Sequence, residues 1–156
     1  MIWRPDLTVA AIVQREQQFL IVEERIAGAL VLNQPAGHVE DGESIIDAVV
    51  RETLEETAWQ LRPRHLLGIY LWRNPASGSS VLRVAITGDV HAHDAARKLD
   101  AGIVAARWMT RAALLAGPQR LSSPLVLRCI DDCLAGVRHD LSALHYLDAQ
   151  PVVAGA

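Results

Sequence analysis

Between Gly37 and Trp59 the chain reads GHVEDGESIIDAVVRETLEETAW, and this stretch restricts what the molecule can become more than any other. A glycine-bearing turn leads into a segment carrying Glu43, Arg51, Glu52, Glu55 and Glu56. Ser44 with Asp47 three residues later is a capping-box variant, so the spacing predicts a helix from Ser44 to about Ala58. At about 100° per residue, Glu52, Glu55 and Glu56 fall within roughly a third of a turn. Like charges so placed repel by about 0.3 kcal/mol per pair. A solvated acidic face with Arg51 paired to Glu55 at i,i+4 accounts for the cluster. A bound hard cation such as Mg²⁺, which takes carboxylate, water and phosphate oxygens, is the alternative, and the cluster taken alone favours the solvated face. Ala48 falls in the acidic arc, where a small side chain leaves room for a metal, and Ile46, Val49, Val50 and Leu54 supply the expected core face.

At 156 residues the chain is the size of one domain able to bury its own core. One domain over 1–156 is expected, with a core at about 5–138 and a loose tail ending in PVVAGA. Apolar residues make up 51%, yet no run approaches the roughly 18 needed to cross a bilayer. The start, MIWRPDLTVA, has no basic region followed by an apolar stretch, so a cytoplasmic location is expected. A net charge of −3 argues against nucleic-acid and anionic-membrane partners, while a phosphorylated small molecule stays compatible if a metal reverses the local sign. Cys129 and Cys133, at i,i+4 on a predicted helix, read as two buried thiols; the close Cys and His pairs of a zinc site are missing.

Thr8–Gln14 and Phe19–Glu24 read as a β-hairpin, and Leu30–Asn33 as a third strand leading into the Gln34-Pro35-Ala36-Gly37 bend, whose carbonyl can face a metal. After the helix, Pro63 is expected to end any continuation before a strand over Leu66–Arg73. NPASGSS then loops to a partner strand over Val81–Val90. HAHDAARKLDAG reads as irregular, Ile103–Trp108 as a last strand, Thr110 as the cap of a short helix to Ala116, and Ser123-Pro124 as the start of the final helix. From about His139 the pattern fades. Strands flanked by a central and a C-terminal helix give an α/β fold with a mixed sheet between helical layers.

The spacing Gly37, five residues, Glu43, seven residues, Arg51-Glu52, then Glu55-Glu56 resembles the Nudix box at every charged position. It departs at Thr53, where an aliphatic residue is usual, and at Ala58, where the family has Gly. A Cβ in the left-handed conformation costs roughly 1 kcal/mol, so Ala58 bears on the helix terminus more than on the metal site. The resemblance implies an α/β/α sandwich. It also implies Mg²⁺-dependent cleavage of a pyrophosphate linkage, with Mn²⁺ as a substitute. Gly37, Glu52, Glu55 and Glu56 are the implied metal ligands, Glu52, Glu55 and Arg51 the catalytic groups, and Glu43 a structural partner of the Arg. His38 and Asp100 are weaker candidates for substrate or metal contact, and Tyr70 and Trp72 for stacking on a heteroaromatic ring. TVAAIVQ, FLIVEE, ARWM and SSPLV are similar to a bacterial branch acting on nucleoside di- and triphosphates and on hydroxymethylpyrimidine and thiamine pyrophosphates. A hydrolase of oxidised nucleotides or ADP-ribose is the rival within the family, and a non-catalytic nucleotide sensor the rival outside it. A monomer or homodimer fits either.

Overall fold

The computed structural model describes residues 2–149; the tail expected at PVVAGA lies outside the described residues. Strands β1 (Asp6–Arg15) and β2 (Gln18–Ile26) form the expected hairpin, followed by β3 (Ala29–Asn33) and a three-residue β4 (Ala36–His38). Helix α1 (Ile45–Thr57) precedes the long strands β5 (Trp59–Arg73) and β6 (Ser80–His93). The chain continues through β7 (Ile103–Thr110), α2 (Arg111–Ala116), β8 (Arg120–Leu121) and α3 (Leu125–Leu134). The strand order is β5-β6-β1-β2-β3-β8, with β4 also on β1 and β7 on β2. β1 runs parallel to β6 and β3 to β8, and the other pairs are antiparallel. This is a mixed, curled sheet with flanking helices.

β1 explains the layering. Its Val9 to Val13 are all at most 2% exposed, and successive side chains alternate between faces. Ala10 and Ile12 pack with Phe19, Ile21, Leu67 and the α2 and α3 residues Leu114, Cys129 and Ile130. Val9, Ala11 and Val13 pack with Leu20, Ile86 and the α1 residues Ala48 and Val49. β1 meets β2 only at Gln14–Phe19 and Arg15–Gln18, and then gives that edge to β4. The sheet therefore splits where β3 hands the chain to β4, and α1 lies alongside β4 there.

Several expectations need correction. Ala48 shares the stripe of Glu52 and Glu56 but is fully buried in the core, so it leaves no room for a metal there. The buried stripe of α1 is Ala48, Val49, Glu52, Thr53, Glu56 and Thr57, with Leu54 only half-buried. Pro63 does not delay the strand: β5 starts at Trp59 and takes Pro63 in its stride. β5 is an edge strand, where a missing N–H is harmless, and its register shifts between Pro63 and His65. β6 includes His91–His93, which pair back to Trp59 and Gln60. Past residue 138 the chain is not loose at once: His139 exchanges two backbone hydrogen bonds with Leu66, and Leu141 and Leu144 pack on the α1-side core. Cys129 and Cys133 are buried free thiols, as expected.

Candidate active site

Ser44 caps α1, its hydroxyl accepting from the Asp47 N–H at 3.1 Å. The other end stops at Ala58, which adopts φ 60°, ψ 10°, the left-handed conformation that glycine would take. Loop backbone closes that end: the Asp94 N–H donates to the Ala58 carbonyl and the Asp100 N–H to that of Glu55, each at 3.0 Å. The second of these holds Asp100 near the α1 carboxylates, although its side chain is exposed. Thr53 replaces an aliphatic residue without orphaning its hydroxyl, which donates to the Val49 carbonyl at 2.7 Å.

Arg51 uses all five of its N–H donors. Nε and Nη2 grip both oxygens of Glu43 at 3.0 and 2.6 Å, and Nη2 also donates to the His38 carbonyl at 3.0 Å. Nη1 donates to Glu52 at 2.8 Å and to Glu55 at 3.0 Å. Arg51 thus ties the loop before α1 to the carboxylates on it, and its hydrogen bonds hold Glu43 below the usual carboxylate range.

Glu52 and Glu56 are each 8% exposed. Burial raises the Glu52 carboxyl, with Arg51 pulling the other way. Burial pushes Glu56 up to about 8 despite the Ala36 N–H that donates to it at 2.9 Å, and the charges of Glu52, Glu24 and Asp100 push it further. Gly37 leaves the Glu52 carboxylate where it is: a Cβ there would overlap that carboxylate and push it aside. Glu52, Glu56, Gly37, His38 and Trp72 line one cavity of about 520 Å³. Tyr70 does not join them: its hydroxyl donates to Asp132 at 2.8 Å and its ring packs on the α3-side core.

Four further wall residues, Glu24, Arg83, Thr8 and Ser122, were not anticipated. Glu24 lies beside a register shift of β2 against β7, and burial raises its carboxyl. Its neighbour Glu23 is bound by Arg107, so only the second Glu of FLIVEE faces the cavity. Arg83 and Thr8 are cross-strand partners on β6 and β1. A lone Arg amid the apolar VLRVAIT was the legible signal for Arg83; Thr8 offered none.

The donor set suits a hard divalent ion. Burial raises the Glu52 carboxyl even with Arg51 beside it and raises Glu56, which has no cation beside it, so a divalent ion would supply charge that keeps both ionised, and Gly37 has no Cβ to obstruct the Glu52 carboxylate. No three His, Cys, Asp or Glu side chains among the described residues are already gathered as ligands. Glu52 and Glu55 are held by Arg51 in that arrangement.

The NUDIX domain model matches residues 4–128. The chain belongs to the Nudix family. The phosphatase NudJ of Escherichia coli is 33% identical over 142 residues, 91% of this chain and 92% of that one. A NUDIX hydrolase from Nitrosomonas europaea superposes with a TM-score of 0.91 at 44% identity, covering 94% of this chain and 100% of that one. An ADP-ribose pyrophosphatase from Streptococcus suis shares the fold alone, with a TM-score of 0.62 and 20% identity over 83% of this chain and 92% of that one. As a Nudix hydrolase the protein is a phosphoanhydride hydrolase. Its family is typically divalent-metal dependent and binds phosphorylated small molecules.

Proposed function

We propose that this Nudix hydrolase uses Mg²⁺, or Mn²⁺ in its place, to release phosphate from nucleoside di- and triphosphates and from hydroxymethylpyrimidine or thiamine pyrophosphate. The observation that carries the reading is the pairing of two buried carboxylates, Glu52 and Glu56, on one wall of a cavity that also has Trp72, with Gly37 as the residue that lets the Glu52 carboxylate pack against the turn. Likeness to the phosphatase NudJ over 91% of the chain supports phosphate as the product.

Glu52, Glu55, Glu56 and the Gly37 carbonyl would hold the metal. When bound, a divalent ion neutralises phosphate oxygens and lowers the pKa of its water. Arg51 fixes the Glu52 and Glu55 carboxylates, so neither spends entropy on finding its place when substrate arrives. Glu52, buried on the cavity wall and oriented by Arg51, is placed to accept the proton of the attacking water. Glu43 keeps Arg51 in register from the loop side. Asp100 adds negative charge behind Glu52 and Glu56. His38 and Trp72 sit on the cavity wall where the non-reacting part of a substrate would rest, Trp72 offering a ring to stack on.

The test is product identification with Mg²⁺ or Mn²⁺ on GTP, dGTP, hydroxymethylpyrimidine pyrophosphate, thiamine pyrophosphate and ADP-ribose. Inorganic phosphate from any of the first four is expected. Pyrophosphate from the triphosphates, or two monophosphates from ADP-ribose, would move the protein to the rival hydrolase class. Binding without turnover on the whole panel would make it a sensor.

A further inference from the structure

Only three buried side-chain polar atoms among the described residues lack a hydrogen-bond partner: Thr8 Oγ1, Arg83 Nε and Ser122 Oγ. All three residues line the one cavity that also holds Glu52 and Glu56. Orphan polar atoms scattered through a core would mean imperfect packing; three on one cavity wall mean a site built to be completed by something else. Arg83 is the most telling. It is 5% exposed, it donates to neutral amide oxygens, Gln34 Oε1 at 3.1 Å and Asn33 Oδ1 at 3.3 Å, and the nearby Cys129 thiol, pushed up to about 11 by burial, stays neutral and supplies no counter-charge. Gln34 is itself buried and anchored to the Val126 carbonyl at 2.8 Å, so the guanidinium is held from behind. A buried cation without a counter-charge is costly, and burial accordingly lowers the Arg83 pKa.

We infer that Arg83, Thr8 and Ser122 form an anion subsite that takes a phosphoryl group of the substrate opposite the α1 carboxylates. This deepens the proposed function and rests on it for the identity of the substrate. A neutral base carbonyl would satisfy one donor but leave the charge unbalanced. A phosphoryl group supplies both negative charge and several acceptors to a guanidinium and two hydroxyls. The apolar walls of Trp72 and Leu125 leave the ring-bearing part of a substrate another place to sit.

The test is calorimetric titration in Mg²⁺ buffer of the wild type and Arg83→Gln with methylenediphosphonate, a non-hydrolysable diphosphate, and separately with the phosphate-free nucleosides uridine and guanosine. Thermal unfolding without ligand is measured on both proteins. The wild type is expected to bind the diphosphonate. Arg83→Gln should weaken it about tenfold or more, melt no lower than wild type, and leave nucleoside binding as it was. Unchanged diphosphonate affinity overturns the inference. So does no binding to the wild type, a loss confined to nucleosides, or a lower melting temperature with affinity retained, which would make Arg83 a brace for Asn33 and Gln34. Should Arg83→Gln fail to fold, Thr8→Val and Ser122→Ala remove one orphan hydroxyl each. Each should weaken the diphosphonate about threefold or more, and unchanged affinity in both overturns the subsite. Binding needs no turnover, so a wild type that holds diphosphonate through Arg83 yet hydrolyses nothing refutes the hydrolase reading alone.

Discussion

Gly37 and Glu56 define the site at the scale of single residues, and each carries a prediction. A methyl at position 37 would overlap the Glu52 carboxylate, which is the far end of a flexible side chain rather than backbone. Gly37 also lacks the positive φ that excludes other residues. Gly37→Ala should therefore fold with nearly wild-type melting but lose about 100-fold in kcat, since displacing a reacting group by about 1 Å costs that much. Parallel melting and steady-state measurements check it. Glu56 makes a pH prediction for the metal-free protein. Its folded value of about 8 lies above its ordinary 4.5. Below 4.5 both folded and unfolded chains hold the proton. Between 4.5 and 8 the unfolded chain releases it first, so stability falls as pH rises through that window and levels off above it, by at most about 1.4 kcal/mol per pH unit. Melts in chelator across that range should show this decline, and Glu56→Gln should show a smaller one. The acids of α1 were legible in sequence because their spacing is local. Glu24, Thr8, Arg83 and Ser122 were not, because strand pairing over long separations brings them to one cavity.

Elements were legible wherever a periodic run met a capping or turn residue. The hairpin, α1, α2 and α3 came out close to their observed bounds, whereas β4 and β8, at three and two residues, are too short to have a period. The start of β5 was missed because Pro63 reads as a breaker, and only its edge position makes it harmless. The end of α1 offers a sharper test. Ala58 pays roughly 1 kcal/mol for its left-handed backbone, but the residue is only 3% exposed, and burying its methyl returns about 0.8 kcal/mol. Ala58→Gly should then change stability by less than about 1 kcal/mol, the two terms nearly cancelling. Ala58→Val adds a branched Cβ where the left-handed region is a genuine outlier, and should cost about 2 kcal/mol or more. Denaturant unfolding of the two variants separates the cases. Equal destabilisation would mean that packing, not backbone conformation, governs this terminus.

Over the whole molecule, the family match ends at residue 128, yet the packing that holds α1 in place continues beyond it. β5 presents Leu66 to His139, and both backbone groups of Leu66 are satisfied by that residue, at 3.0 and 2.9 Å. The chain then lays Leu141 and Leu144 on the same core that receives Ala48 and Val49 of α1. This segment was read as fading from the sequence because it makes one isolated bridge and a single 3-10 turn, neither of which has a periodic signature. Its contribution is nonetheless calculable. Losing it leaves the N–H and carbonyl of a Leu66 that is 7% exposed without their partner, and takes two partly buried leucines away from the core they cover. At about 1 kcal/mol for each of these four losses, ending the chain at Arg138 should cost roughly 3–4 kcal/mol, or about 6–16 °C in melting temperature for a chain of this size. Because α1 rests on that core, the truncated protein should also bind Mg²⁺ more weakly, and the double substitution Leu141→Ser, Leu144→Ser should reproduce about half of both effects. A truncated chain that melts with the full-length protein would show that the Leu66–His139 bridge carries no weight, and that α1 is held by β5, β4, β1 and β7 without it.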